Sequence, residues 1–186
     1  MTLQIPDNFF YREARCDVTA FTGPGQVFDP REYGFNPLST STASHRGFRN
    51  TYGLTRGLLC LKDLDINLFT EKGENPWEPL AGKPLNGIKP ITGDESTLFN
   101  NRYRDINLEI DYTGAITIAT EFINSLYEHM GFAPTWKYEE VYQLTFEKGA
   151  LIAEKDISGR NSKLREKILA GKEDDTDILL PPEPPQ

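Results

Sequence analysis

Histidine, cysteine, methionine and tryptophan each occur only twice in 186 residues, and the scarcity closes several classes of function. Cys16 and Cys60 make neither a C-x-x-C ligand pair nor a disulfide framework, and read as reduced thiols of a cytosol-like compartment. His45 and His129 show no helical spacing and no accompanying carboxylate pattern, so no zinc site, no other metal and no cofactor is expected. No apolar run approaches the ~18 residues of a membrane-spanning helix. The opening stretch MTLQIPDNFFYREARC lacks a basic region followed by an apolar one, so no export signal is expected and the location reads as cytoplasmic. Lys and Arg number 20 against 28 Asp and Glu, a net charge of −8. A surface that tracks phosphates needs clustered cations, so nucleic acid is not an expected partner. The acidity is uneven. The stretch 172–186 sets one lysine against Glu173, Asp174, Asp175, Asp177 and Glu183, a net of −4, and ends rich in proline.

What is present is a foldable composition. The chain is 38% hydrophobic and 11% aromatic, and a chain of this size buries roughly 70% of its unfolded surface. Residues 39–61, STSTASHRGFRNTYGLTRGLLCL, run from hydroxyls into strand-forming residues. The segment 46–54, a glycine turn at TRG and the segment 58–66 read as a β-hairpin, with His45 and Arg46 at a strand start. Along 104–112, Ile106, Leu108, Ile110 and Tyr112 alternate with acids and Asn107, the period of a half-buried strand. A turn at 113–114 leads to a return strand through AITIA. In 120–131 the apolar residues Phe122, Ile123, Leu126, Tyr127 and Met130 lie along one helical stripe, with Thr120 as N-cap and Gly131 as the stop. The spacing predicts a helix over 120–130. A last hairpin spans 141–146 and 150–157, and a short helix over 162–170 closes the fold with Leu164, Ile168 and Leu169. Ile106, Leu108, Ile110, Phe122, Leu126, Met130, Leu144 and Phe146 are the expected core anchors.

The expected fold class is therefore α+β: a mainly antiparallel sheet of about six strands in hairpins, with one main helix packed on it. Residues 1–171 form a single domain and 172–186 an acidic, proline-rich tail. Residues 67–100, with four prolines and four glycines, read as a long docked loop or an insertion.

STASHRGF with its glycine-turn hairpin, DYTGAITI, and LYEHMGFAPTWKYEEVYQLTFEKGAL resemble a family of bacterial proteins of unknown function. Members of that family read S-T-A-C-W-R-G-Y, then D-W-[FY]-S-G-x-L-R-I-P, then Y-V-H-M-G-[FY]-x-S-x-Y-E. The likeness spans roughly residues 41–66 and 106–153 and is most specific at Tyr127, His129, Met130 and Gly131. Ser44, His45 and Tyr112 depart from the pattern, and its R-I-P is missing. The resemblance implies a shared fold and carries no activity.

Several groups invite a chemical reading. His45 beside Ser41, Ser44 and Arg46 could be a base next to a nucleophile, but no orienting acid or oxyanion site is readable, and hydroxyls ahead of a strand form turns and caps. His129, at the end of the expected helix, suits a capping role. TGPGQ at 22–26 lacks the Gly-Lys-Ser/Thr ending of a phosphate loop. Glu109, Asp111, Glu139 and Glu140 could pair as catalytic carboxylates, yet the alternation turns the first two to solvent. Ser39, Thr40 and Ser41 with Glu140 resemble the layout of mono-ADP-ribosyltransferases, without the acid pair that family requires. The enzyme reading, as an ADP-ribosyltransferase-like protein or a hydrolase, thus rests on His45, Arg46, His129 and Glu140. The favoured reading is a small acidic protein of inhibitor or immunity type that binds a basic protein partner. Arg46, Tyr127, His129 and Trp136 from the motif regions and Trp77 from the long loop are its expected binding residues.

Overall fold

A computed structural model of the chain describes residues 2–23, 26–70, 77–93, 98–129 and 131–172. The acidic residues 173–186 and the expected core residue Met130 lie outside the described residues, as do Pro24 and Gly25 of the TGPGQ stretch. The fold is mostly sheet. Its strands are β1 (Asn8–Tyr11), β2 (Ala14–Phe21), β3 (Phe48–Thr55), β4 (Leu58–Ile66), β5 (Ile91–Thr92), β6 (Asn101–Tyr103), β7 (Leu108–Glu109), β8 (Gly114–Phe122), β9 (Tyr138–Glu147) and β10 (Ala150–Asp156), and its α-helix is α1 (Ser158–Leu169). The expectation of about six strands is corrected to ten among the described residues.

One sheet holds them in the order β10-β9-β8-β2-β1-β3-β4-β6-β5, with β7 on β4. Its ladders are antiparallel except β1–β3, which is parallel. The sheet curls until β10 meets β4 at Ala150↔Leu58, where Leu59 N–H donates to Gly149 O and Leu151 N–H to Gly57 O. The free edge of β4 is thus served in succession by β10, β7 and β6. The inward faces enclose the main core, including Phe9, Phe48, Tyr52, Leu61, Ile66, Ile116, Ile118, Leu144 and Phe146. Each fully buried side chain of this size contributes about 1.5–3 kcal/mol.

Local chemistry explains the hairpins. Arg56–Gly57 and Lys148–Gly149 both take positive φ at two successive residues, the type I′ geometry whose twist matches the strands it joins. Gly149 has a further constraint, because a Cβ there would collide with the Ile110 carbonyl. Arg12–Glu13 adopts the same two positive φ values without a glycine. There the Arg12 guanidinium stacks on Tyr11 and Tyr142 and pairs with Glu154.

Two sequence expectations are overturned. The helix over 120–130 is absent: β8 runs on to Phe122, followed by one 3-10 turn at Asn124–Leu126 and extended backbone at Tyr127. Thr120 pairs with Glu140 and Phe122 with Tyr138, so the apolar stripe belongs to a strand end and a turn. Phe122 and Leu126 are only half-buried. The α-helix lies instead at Ser158–Leu169, where a shorter helix over 162–170 was expected, and it packs on β9. The second correction concerns 104–112. Ile106 and Tyr112 are buried, Leu108 and Ile110 half-buried, and the intervening residues exposed, so the alternation sorts the faces as expected. Only Leu108–Glu109 is laddered, however, and its partner is β4 rather than the return strand. Positive φ at Asp105 and Asn107 breaks the run.

The described parts of 67–100 are docked on the barrel. Asn101 donates to Leu80 O and accepts from Gly82 N–H, and Tyr103 donates to Lys83 O. Among the described residues no helix is long and apolar enough to cross a membrane.

Candidate functional site: an acid in an aromatic-lined pocket

The hydroxyl tract forms turns rather than a strand. Ser41 Oγ accepts from Ala43 N–H, Ser44 N–H donates to Ser41 O, and Gly47 N–H to Ser44 O. Gly47 has a φ of 72°, and a Cβ there would strike the Leu38 carbonyl. His45 and Arg46 therefore precede β3 in a turn, which corrects their placement at a strand start. His45 is exposed, and its backbone N–H donates to Gln4 Oε1. Arg46 clasps Asp7 through both terminal nitrogens, at 2.7 and 3.1 Å. Asp7 also accepts from Asn50 N–H and Nδ2, and Asn50 Nδ2 reaches Phe28 O and the Tyr52 hydroxyl. Burial holds that hydroxyl well above its usual pKa. Arg46 is thus committed to a structural hub.

The remaining sequence candidates lie in separate places. Glu140 is exposed on β9 and accepts from the Tyr142 hydroxyl at 3.4 Å. His129 is exposed and stacks edge-on against Tyr127, with ring centroids 5.1 Å apart. No hydrogen bond or ion pair joins His45, Arg46, His129 and Glu140 among the described residues. Trp136 is only 4% exposed, inside a 3-10 turn at Thr135–Lys137 whose carbonyls accept from Arg165 and Asn161. Trp77 is 59% exposed and meets Phe69 edge-on. Among the described residues no three His, Cys, Asp or Glu side chains cluster as metal ligands.

The N-terminal strap brings the two motif regions together. Gln4 N–H donates to Gly131 O, and the next residue, Ile5, donates to Ala43 O. Beside this strap lies a pocket of about 270 Å³, whose lining includes Leu3, Pro6, Val18, Phe122, Tyr127, Phe132 and Tyr138. Tyr127 and Phe132 are 48% and 53% exposed. The rest of the lining is Ala133, the polar Gln4, Thr19 and Asn124, and one carboxyl, Asp17.

Asp17 projects from β2, where it pairs with Asn8 on one side and Ala119 on the other. Its Oδ2 accepts from the Tyr138 hydroxyl at 2.8 Å and its Oδ1 from Asn8 Nδ2 at 3.0 Å. Arg15 donates to the far side of Asn8, at Oδ1. Desolvation raises the Asp17 pKa, against the opposing pull of the Tyr138 and Asn8 hydrogen bonds and of Arg15 and Arg49. Desolvation and the neighbouring acid likewise hold the Tyr138 hydroxyl far above its usual range. Phe122 packs edge-on against Tyr138 at 5.2 Å, which fixes one wall. Asp17 was not singled out in the sequence. The signal available was an acid inside the strand-forming run CDVTAF, where aspartate is disfavoured.

At this corner desolvation favours the protonated forms of the Asp17 carboxyl and the Tyr138 phenol, and it pushes the buried Cys16 thiol on β2 up to about 11. No protein-family model, no curated protein and no solved structure matches the chain. The family resemblance through 41–66 and 106–153 rests on its motifs alone.

Proposed function

We propose that this is a cytoplasmic protein-binding protein of inhibitor or immunity type, and that a basic protein partner docks over the Asp17 pocket. The observation that carries the reading is the pocket's composition: a desolvated carboxyl without an ion-pair partner among the described residues, surrounded by aromatic side chains exposed at the rim. Aromatic anchors around a desolvated centre are the usual make-up of an energetic hot spot. The net charge of −8 would speed encounter with a basic surface. Two free, buried cysteines accord with a reducing compartment. The exposed Trp77, Leu80, Ile91 and Leu98 of the docked loop form a second proposed contact region, in keeping with the tendency of loops to carry recognition.

The test is affinity capture from a cell extract with identification by mass spectrometry, followed by association kinetics across a salt series. The reading expects a basic partner whose association slows with salt and whose complex is weakened at least tenfold by Phe132→Ala. A partner indifferent to salt and to Phe132→Ala would overturn it. NAD consumption that stops in Glu140→Gln would replace it with the enzyme reading.

A further inference from the structure

Resting on the pocket as a docking site, we infer that it receives an aliphatic ammonium group, carried on a lysine side chain of the protein partner. The chain builds one arrangement repeatedly: a cation held by an acid and lying over an aromatic ring. Arg46 pairs with Asp7 and sits 4.9 Å from the Phe48 centroid. Arg49 pairs with Asp65 and sits 5.8 Å from that of Phe99. Lys137 pairs with Glu128 and sits 5.1 Å from that of Trp136. Arg12 pairs with Glu154 and lies over Tyr11 and Tyr142. In the pocket the acid and the rings are both present, as Asp17 with Phe122, Tyr127, Phe132 and Tyr138. Among the described residues no cation of the chain pairs with that acid.

The nearby cations are already engaged. Arg15 on β2 is held by Asn8 and Arg49 on β3 by Asp65. Lys137 is held by Glu128. Arg15 and Arg49 temper the charge of Asp17, and none of the three cations lines the pocket. Aromatic rings around a cation add attraction that grows as water is excluded. Both oxygens of Asp17 already accept one hydrogen bond each from a neutral donor, which leaves lone-pair capacity on each for an incoming cation. An ammonium on an unbranched stem reaches such a carboxylate end-on, with its methylenes laid against the rings.

The experiment titrates the isotopically labelled full chain with Nα-acetyl-lysine N-methylamide, its arginine and norleucine counterparts, and free n-butylammonium, reading amide chemical shifts. The lysine probe should move Asp17, Val18, Thr19, Phe132 and Ala133. Norleucine should bind at least tenfold more weakly, and arginine no more tightly than lysine. Butylammonium should bind at least fivefold more weakly, since it lacks the amides that reach the rim. Asp17→Asn should weaken the lysine probe tenfold or more and leave norleucine unchanged. If that variant loses its native spectrum, Phe132→Ala supplies the same test with an expected fivefold loss. Equal binding of norleucine, tighter binding of arginine, a folded variant that retains the lysine response, or an absent response at these amides would each overturn the inference. Butylammonium binding as tightly as lysine would overturn the partner-lysine assignment in favour of a free amine. Failure here with partner capture retained leaves the docking reading standing. A lysine response with no protein captured overturns the docking reading instead.

Discussion

Asp65 and Asp17 lie on the same outward side of the barrel wall, and their surroundings are opposites. Asp65 on β4 is held by two guanidiniums, Arg49 through Oδ2 and Arg104 through Oδ1. Asp17 on β2 has two hydrogen bonds as well, but both come from neutral groups, Asn8 and Tyr138. Asp7, at the hub beside Arg46, follows the first pattern. A buried carboxylate held by arginine is committed to the fold, because removing it strands cations. A carboxylate held by neutral donors has no ion-pair partner among the described residues, and Arg15 and Arg49 act on Asp17 only through space. The difference separates an acid committed to ion pairs from one held by neutral donors alone.

Substitutions can break or sharpen this contrast. The largest effect belongs to Asp7→Ala, which strands Arg46 and leaves the buried Asn50 N–H without an acceptor. It should cost about 4 kcal/mol of unfolding free energy in urea titrations. Asp65→Ala should cost somewhat less, about 3 kcal/mol, because Arg49 and Arg104 are both partly exposed and recover some hydration. A loss below one kcal/mol in either case would erase the distinction. Tyr138→Phe should cost about 1 kcal/mol. It should also drive the Asp17 pKa further up, since the lost hydrogen bond stabilises the ionised form; carboxyl NMR titration reads this directly.

The smallest and most telling effect is that of Asp17→Asn, expected within about 0.5 kcal/mol of the parent at neutral pH, as for a position outside any buried ion pair. Its signature lies in pH dependence. The folded-state pKa of Asp17 is raised above the ordinary aspartate value of 3.8. In the window that opens near that value, the folded state therefore binds more protons than the unfolded one. Stability contributed by this group is full below the window and falls as pH rises through it. The Asn variant should lack that fall, and identical pH profiles for the two proteins would refute the raised pKa.

Legibility in the sequence followed the range of the signal. The hairpins around Gly57 and Gly149 could be read because a glycine marks the required φ on the spot. The turn at Arg12–Glu13 has the same geometry and no glycine, so β1 and β2 went unread, and Asp17 with them. At 106–112 the local period told which side chains face inward but not which strand lies alongside, since pairing with β4 is set by chain closure far away. At 120–130 a helical stripe was an accident of spacing, overruled by the register that ties Thr120 to Glu140 and Phe122 to Tyr138. Leu144 and Phe146 are buried as expected, while other large inward groups, Phe9, Phe48 and Tyr52, belong to strands whose alternation is interrupted by polar core residues such as Asn50. Of the pocket, Tyr127 and Phe132 are marked by one motif, whereas Asp17 joins them only through the fold.

The seam at Leu58 and Ala150 also bears on how fast the molecule can assemble. The β3–β4 and β9–β10 hairpins join residues close in sequence and need little chain search. The parallel β1–β3 ladder, the β2–β8 ladder and the seam itself join residues roughly 40 to 100 positions apart. Loop-closure entropy must be met before such contacts reward it, so chains of this topology fold on the millisecond-to-second scale. The Asp17 pocket draws walls from the N-terminal strap, β2 and the segment after β8. It therefore depends on long-range closure, whereas each hairpin needs only residues close in sequence.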